Sequence, residues 1–292
     1  MIRAYLLLAL GVFTCSTAAV MIKASSTHPV LLSAVRLLLA TLLLAPLFFR
    51  ALAAHRAAFT RAQLLSTTLP AVVLAAHFIS WAYGARMTLT AQASLIVNLA
   101  PVALPFFLHA LLGETITRRE IIGTAIAISG VTVLSARDAF AGGGDLLGNL
   151  VCFGSMLLFA WYLALGRRNR DVPSLWLYVV PVYLQAGLIC AVAALPWWHT
   201  AADLPPRELL LLVGLAVVPT ILGHSLINHA LRNLRGQIVS LCNVGQFIFA
   251  GVMAFFLFGE NPAPAFYAAS ALVVAGIAMV VLNHSPAPPK LR

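Results

Sequence analysis

Two histidines, His77 and His224, and one arginine, Arg36, stand inside long apolar runs of this 292-residue chain. An ionisable side chain is costly in such a setting and is therefore a candidate for chemistry. An imidazole there can hydrogen-bond a carboxylate or an amine, or change charge during a working cycle. The alternative is a neutral ring bonded to a nearby carbonyl. Arg36 offers a planar fork that suits a carboxylate, or else a long side chain that snorkels toward an interface. Asn98 and Asn243, which follow Ser94-Leu95 and Ser240-Leu241, either meet a solute or hold two helices together. Gln92, Gln237 and Gln246 read the same way. Trp161, beside Tyr162, lies deep enough in its apolar run to form part of an aromatic wall. All eight acidic residues fall in or near loops or at the ends of apolar runs, which leaves no mid-span carboxylate to relay protons.

The elements that position these residues follow from composition. Hydrophobic residues make up 62% of the chain and charged ones 9%, against about a quarter charged in a soluble domain. So few charges cannot cover a water-facing surface, and the solvent is lipid. The apolar residues come in blocks of roughly 20, the length a helix needs to cross the hydrocarbon of a bilayer. The blocks are Tyr5–Ile22, Val30–Phe49, Leu64–Gly84, Ala91–Leu112 and Ile121–Ala136, then, after Gly142–Gly144, Leu146–Leu165, Leu175–Leu195, Leu209–Leu231, Gln237–Phe258 and Ala263–Leu282. Ten spans are expected. Strict alternation of apolar and polar residues, the mark of a membrane β-barrel, is absent from them. The first block resembles a secretory leader in outline, with Arg3 ahead and small residues behind, but it heads nine similar blocks and reads as a helix of the bundle. Cys15, Cys152, Cys190 and Cys242 all fall inside apolar blocks and read as packing residues.

Charge placement orients the chain. With the N-terminus inside, thirteen basic residues fall on the cytoplasmic side (Arg3, Arg50, Arg56, Arg61, Arg118, Arg119, Arg167, Arg168, Arg170, Arg232, Arg235, Lys290 and Arg292) and four on the other (Lys23, Arg86, Arg137 and Arg207). That asymmetry puts both termini in the cytoplasm of a cell-membrane protein. The net charge of +10 then reflects topology and contact with lipid headgroups, with no nucleic acid as partner.

The blocks form two series. SLIVNLAPVALPFFLHALLGETITRREIIGTAIAISGVTVL in the first half is matched by SLCNVGQFIFAGVMAFFLFGENPAPAFYAASALVVAGIAMVVL in the second. Gly113-Glu114 corresponds to Gly259-Glu260 and Gly130 to Gly276, while His77 lies 36 residues before Gly113 and His224 lies 35 before Gly259. A unit of five crossings is odd, so its copy enters from the opposite face, and the expected fold is an all-α integral membrane bundle of two inverted five-helix repeats. The repeats occupy residues 1–140 and 145–284, with a disordered cytoplasmic tail over 285–292. Inverted repeats are a recurrent transporter design: exchanging the two conformations turns a cavity from one side to the other.

Lys23, Pro29 and Arg36, the run HFISWAYGARMTLTAQASLIVNLAP, both Gly-Glu pairs and LGHSLINHALRNLRGQIVSLCNVGQ together make the chain resemble the EamA-type transporters of the drug/metabolite transporter superfamily. The resemblance spans nearly the whole chain. It implies ten helices, cytoplasmic termini and movement of amino acids or other metabolites. It also implies that His77 and Trp161 line a central cavity. Pro101 in the first half has Gln246 opposite it in the second, so the two copies are not chemically equivalent. Paired carboxylates, a nucleophile with its base, Gly-x-Ser-x-Gly and His-Glu-x-x-His are all missing, which argues against an intramembrane enzyme. The expected activity is export of amino acids or related small metabolites by alternating access. The alternatives are transport of a bulkier or anionic metabolite or drug, and a channel. A small-molecule substrate, no cofactor, no metal and a monomeric unit complete the expectation, with His77, Trp161, Arg36, Asn98, Asn243 and His224 as substrate-binding candidates.

Overall fold

In hydrocarbon every backbone N–H and C=O has to be satisfied within the chain, so apolar blocks of this length become helices. A computed structural model describes residues 2–87, 93, 96–97, 99–140, 146–201, 203–258 and 264–282, and among these every regular element is helical. The elements are α1 (Ile2–Ala24), α2 (Pro29–Ala54), α3 (Arg61–Ser66 continuing as Thr68–Met87), α4 (Ala100–Leu112) and α5 (Arg118–Phe140). They continue with α6 (Leu146–Arg168), α7 (Trp176–Ala193), α8 (Pro206–Leu215, Ala216–His224 and Ser225–Asn233), α9 (Gly236–Asn243 and Gln246–Phe258) and α10 (Pro264–Leu282). Among the described residues, α1, α2, α3, α6, α7, α8 and α9 are the seven long and apolar enough to cross a membrane; Ala100–Leu112 and Phe266–Leu282 are shorter apolar helices. Asn98, Gln92, the Gly259-Glu260 pair, the Gly142–Gly144 break and the tail 285–292 lie outside the described residues.

Local sequence sets the helix ends. Pro29 opens α2 at a position where its missing N–H costs nothing. Thr60 Oγ1 accepts from Gln63 N–H to start α3. Thr117 and Glu120 form a capping box at the head of α5: Thr117 N–H donates to Glu120 Oε2 at 2.7 Å, and Glu120 N–H to Thr117 Oγ1 at 3.2 Å. Gly113, at φ 64°, closes α4 in the left-handed conformation that glycine adopts without penalty. This accounts for the Gly of the Gly113-Glu114 pair.

Helices pack in a pattern that survives exchange of each helix with the one five places on. α2 lies on α7 and α5 on α10; α3 on α6 is matched by α8 on α1, α4 on α6 by α9 on α1, and α3 on α7 by α8 on α2. Close approaches fix the directions. A methyl group on Gly123 would lie 2.8 Å from the carbonyl oxygen of Gly276, and one on Gly130 would lie 2.7 Å from that of Ala269. Position rises along α5 as it falls along α10, so this pair runs antiparallel. Elsewhere the two halves use the same device twice: Gly84 of α3 faces Cys152 of α6, and Gly223 of α8 faces Cys15 of α1, each leaving 2.5 Å between a methyl group and the sulfur. These cysteines fill the contact that the glycines open. Around the outside, Leu42, Phe49, Phe106, Leu210 and Phe256 are exposed, as expected of a face solvated by lipid.

Candidate functional site

Arg36 is the site's starting point because its burial demands an explanation. It is 1% exposed, near the middle of the bundle. Its Nε and Nη2 donate to Thr220 Oγ1 at 3.0 and 2.8 Å, and its Cζ lies 4.1 Å from the centre of the Phe78 ring. Among the described residues no carboxylate lies within 4 Å of it; the ion pairs belong to other arginines. A cation–π contact out of water is worth about 2 kcal/mol and a hydrogen bond to a charged group about 1.5–3 kcal/mol. Taking an ion out of water costs several kcal/mol even after relaxation. These contributions are of the same size as the cost, so the wall can hold the charge; what it lacks among the described residues is a counter-ion, which an anionic solute would supply.

Thr220 reaches Arg36 because of Pro219. Proline has no N–H to give to the carbonyl four residues earlier, and the backbone answers with a π-helical stretch over Ala216–His224. Thr220 Oγ1 donates to the Leu215 carbonyl, which Pro219 cannot serve, at 2.7 Å while its lone pairs accept from Arg36. Such π segments are frequent where side chains have to be re-aimed at a site. One turn further along, His224 is carried into the same wall, with its ring 5.0 Å from Phe78.

The two histidines are matched in sequence but not in bonding. His77 Nδ1 lies 3.0 Å from the Ser155 carbonyl oxygen and 2.9 Å from Ser155 Oγ, and its ring stacks on Phe159. His224 Nδ1 is buried with no hydrogen-bond partner, on a residue only 7% exposed. His77 lies seven residues before the Gly84 that packs on Cys152, whereas His224 lies one residue after the Gly223 that packs on Cys15, so the two rings occupy different places on their helices.

The last polar part of the site comes from an interruption in α9. Val244 and Gly245 close with 3₁₀-type bonds to Leu241 and Cys242, and the helix restarts at Gln246. The break turns Asn243 and Gln246 toward the centre, where Gln246 Nε2 donates to Asn243 Oδ1. A cavity of about 60 Å³ collects these groups: Arg36, His77, His224, Asn243 and Gln246 line it, together with the rings of Phe78, Trp81, Phe159 and Phe247. Its remaining lining, including Ser16, Ala19, Val97 and Ala250, extends toward the ends of α1 and α3 that carry Ala24 and Met87.

Trp161 is placed elsewhere. It stacks on Phe107 of α4 at 6.1 Å between centroids, while Phe159 faces the cavity. Two residues apart on a helix means about 200° around its axis, so the two rings cannot share a face. Tyr162 packs near His224, and its hydroxyl accepts from Asn228 Nδ2 at 2.7 Å.

Both ends beyond the cavity are tied. At one, Arg167 Nε meets Glu114 Oε1 at 2.9 Å and Arg235 Nε meets Glu120 Oε1 at 2.8 Å. Each pair joins the α4–α5 segment of the first half to the second half. Arg118 and Arg119 are nearer to Glu114 in sequence, yet its partners are Arg167 and Arg170. At the other end Glu208, heading α8, accepts from Ser25 Oγ at 2.6 Å, Thr27 Oγ1 at 2.7 Å and Ser26 N–H at 3.0 Å. Beside it His28 stacks on Trp197 at 3.8 Å. Burial, aided by the Arg86 guanidinium, holds that ring below the usual histidine range.

The sequence matches, twice over, a family model described as the EamA-like transporter family, at residues 2–136 and 146–282. A solved crystal structure shares the fold with a TM-score of 0.76 at 18% identity, covering 96% of this chain and 96% of that chain. No curated protein matches.

Proposed function

Because the chain belongs to the EamA-like transporter family, we propose that it exports amino acids or related small amphiphilic metabolites across the cell membrane by alternating access. The carrying observation is a single cavity walled by both halves, with Arg36 and His77 from the first and His224, Asn243 and Gln246 from the second. In this reading the chain crosses ten times as two inverted five-helix repeats with both termini in the cytoplasm. The antiparallel α5 and α10, and a packing pattern unchanged by exchange of the halves, support it. The Glu114 and Glu120 ion pairs then close the cytoplasmic side. A cavity of about 60 Å³ has to widen to several hundred to hold such a solute, which rocking of one half against the other achieves.

A second reading, a bulkier or anionic metabolite, is favoured by the position of Arg36 in the cavity wall. Liposome flux of a panel of labelled amino acids tests the first. Saturable uptake of at least one member is expected, and its absence for every member would end that reading. Sustained unitary currents from the purified protein in a bilayer would instead mean a channel. His77→Ala should lower flux about tenfold or more, the scale of losing an intramembrane polar contact. Folded yield should hold, because Ser155 Oγ keeps its bond to the His77 backbone carbonyl at 3.1 Å. Wild-type flux in that variant would remove His77 from the site.

A further inference from the structure

We propose that Arg36 and His224 form a carboxylate subsite in the cavity, with Thr220 as the residue that positions the guanidinium and Phe78 as the apolar floor under both. This rests on the reading of the cavity as the transport site and names the chemistry of its solute: a small carboxylate, zwitterion or simple monoanion, with an apolar remainder.

Several independent features converge on that class. Arg36 is a buried cation whose described partners are a neutral hydroxyl and a ring face, and a carboxylate matches its fork. His224 supplies a buried ring nitrogen with no partner in the protein. An unsatisfied buried polar atom is rare enough to need a reason, and protonated on Nδ1 it is a second donor for the same anion. Thr220 and His224 sit one turn apart on the π stretch, both Arg36 and His224 contact Phe78, and the two donors line the same cavity. The remaining polar lining, Ser16, His77, Asn243 and Gln246, brings no competing anion. Trp81, Phe159 and Phe247 supply apolar walls for the rest of the solute. In the other half the Nδ1 of His77 is already engaged by Ser155, so the subsite is one-sided.

The test uses the purified full-length protein with four probes: 3-phenylpropionate, L-phenylalanine and the amide of each. Thermal stabilisation in detergent reads binding, and counterflow in liposomes reads transport. At least one acid should bind about tenfold or more tighter than its amide, the discrimination expected when a buried polar site loses its partner. Arg36→Gln should shrink that preference to about threefold or less, Arg36→Lys should keep part of it because the charge remains without the fork, and His224→Leu should weaken the acids while leaving the amides in place. Thr220→Val, a milder change, should weaken acids several-fold, and it serves if Arg36→Gln fails to fold. Equal binding of acid and amide, no binding of either acid, or an unchanged preference in both Arg36→Gln and Thr220→Val would overturn the subsite. Acid and amide carried equally would leave the transport reading standing without it; an acid that binds with discrimination but does not cross would do the reverse.

Discussion

Charge reversal at Arg235 should destabilise the protein by about 3–5 kcal/mol, the cost of stranding one member of a buried pair. Glu120 is the reason: its side chain is 3% exposed, and Arg235 meets it with both Nε and Nη2, at 2.8 and 3.1 Å. Arg235 also donates to the Thr115 carbonyl at 2.7 Å, so it fastens the whole α4–α5 turn and not only one carboxylate. Arg235→Glu would face Glu120 with a second carboxylate and release Thr115 as well. Exchanging the two charges, Glu120→Arg with Arg235→Glu, should recover only part of the loss, because Glu120 also accepts from Thr117 N–H in the capping box and arginine has no acceptor to put there. Thermal unfolding in detergent for the single and exchanged variants decides it; an Arg235→Glu protein that melts with the wild type would mean that the pair holds nothing. If this face opens during the cycle, the same pair breaks in every turnover. Arg235→Gln, which keeps a neutral donor, should then lower the melting temperature less than the reversal does.

How much of this was legible beforehand depended on whether a feature is local. The apolar blocks, Arg36 and the pair His77 and His224 stood out because a polar group in hydrocarbon is conspicuous in one dimension, and all three side chains line one cavity. Their partners were not legible, because the choice of Ser155 for His77, and of Thr220 and Phe78 for Arg36, is a long-range pairing between helices. Trp161 stood out by its depth in an apolar run and by resemblance, and helix phase decides against its sharing a face with Phe159. The partners of Glu114 were equally non-local, because Arg167 and Arg170 reach it from the other half. The π stretch did carry a signal that went unread: a proline in mid-span followed at once by a threonine, which can serve the carbonyl that the proline leaves bare. The break in α9 had a weaker one in Gly245 between Asn243 and Gln246.

That unread proline gives the sharpest separation of stability from function. Pro219→Ala restores an N–H four residues beyond the Leu215 carbonyl, which an α-helix would use at once. The hydroxyl of Thr220, which now donates to Leu215 at 2.7 Å, would lose that acceptor. Converting the stretch from π to α removes the equivalent of one extra residue, which turns one side of α8 by about 100° relative to the other. Thr220 and His224 cannot both keep facing Arg36 and Phe78 after such a turn. Relief of an interior proline is worth up to about 3 kcal/mol and loss of the bonds between Thr220 and Arg36 costs about as much, so Pro219→Ala should melt near the wild type while its flux falls about tenfold or more. Thr220→Ala should lose a comparable amount of flux for the opposite structural reason. It leaves the proline in place, removes the hydroxyl bond to Leu215 and leaves Arg36 without its acceptor, and should therefore melt earlier, with about 1–3 kcal/mol lost for the group left bare. Two neighbouring substitutions that agree in flux and diverge in melting temperature are what the geometry demands. A Pro219→Ala protein that transports at the wild-type rate would show that the π stretch is incidental and that Arg36 does not depend on its aim.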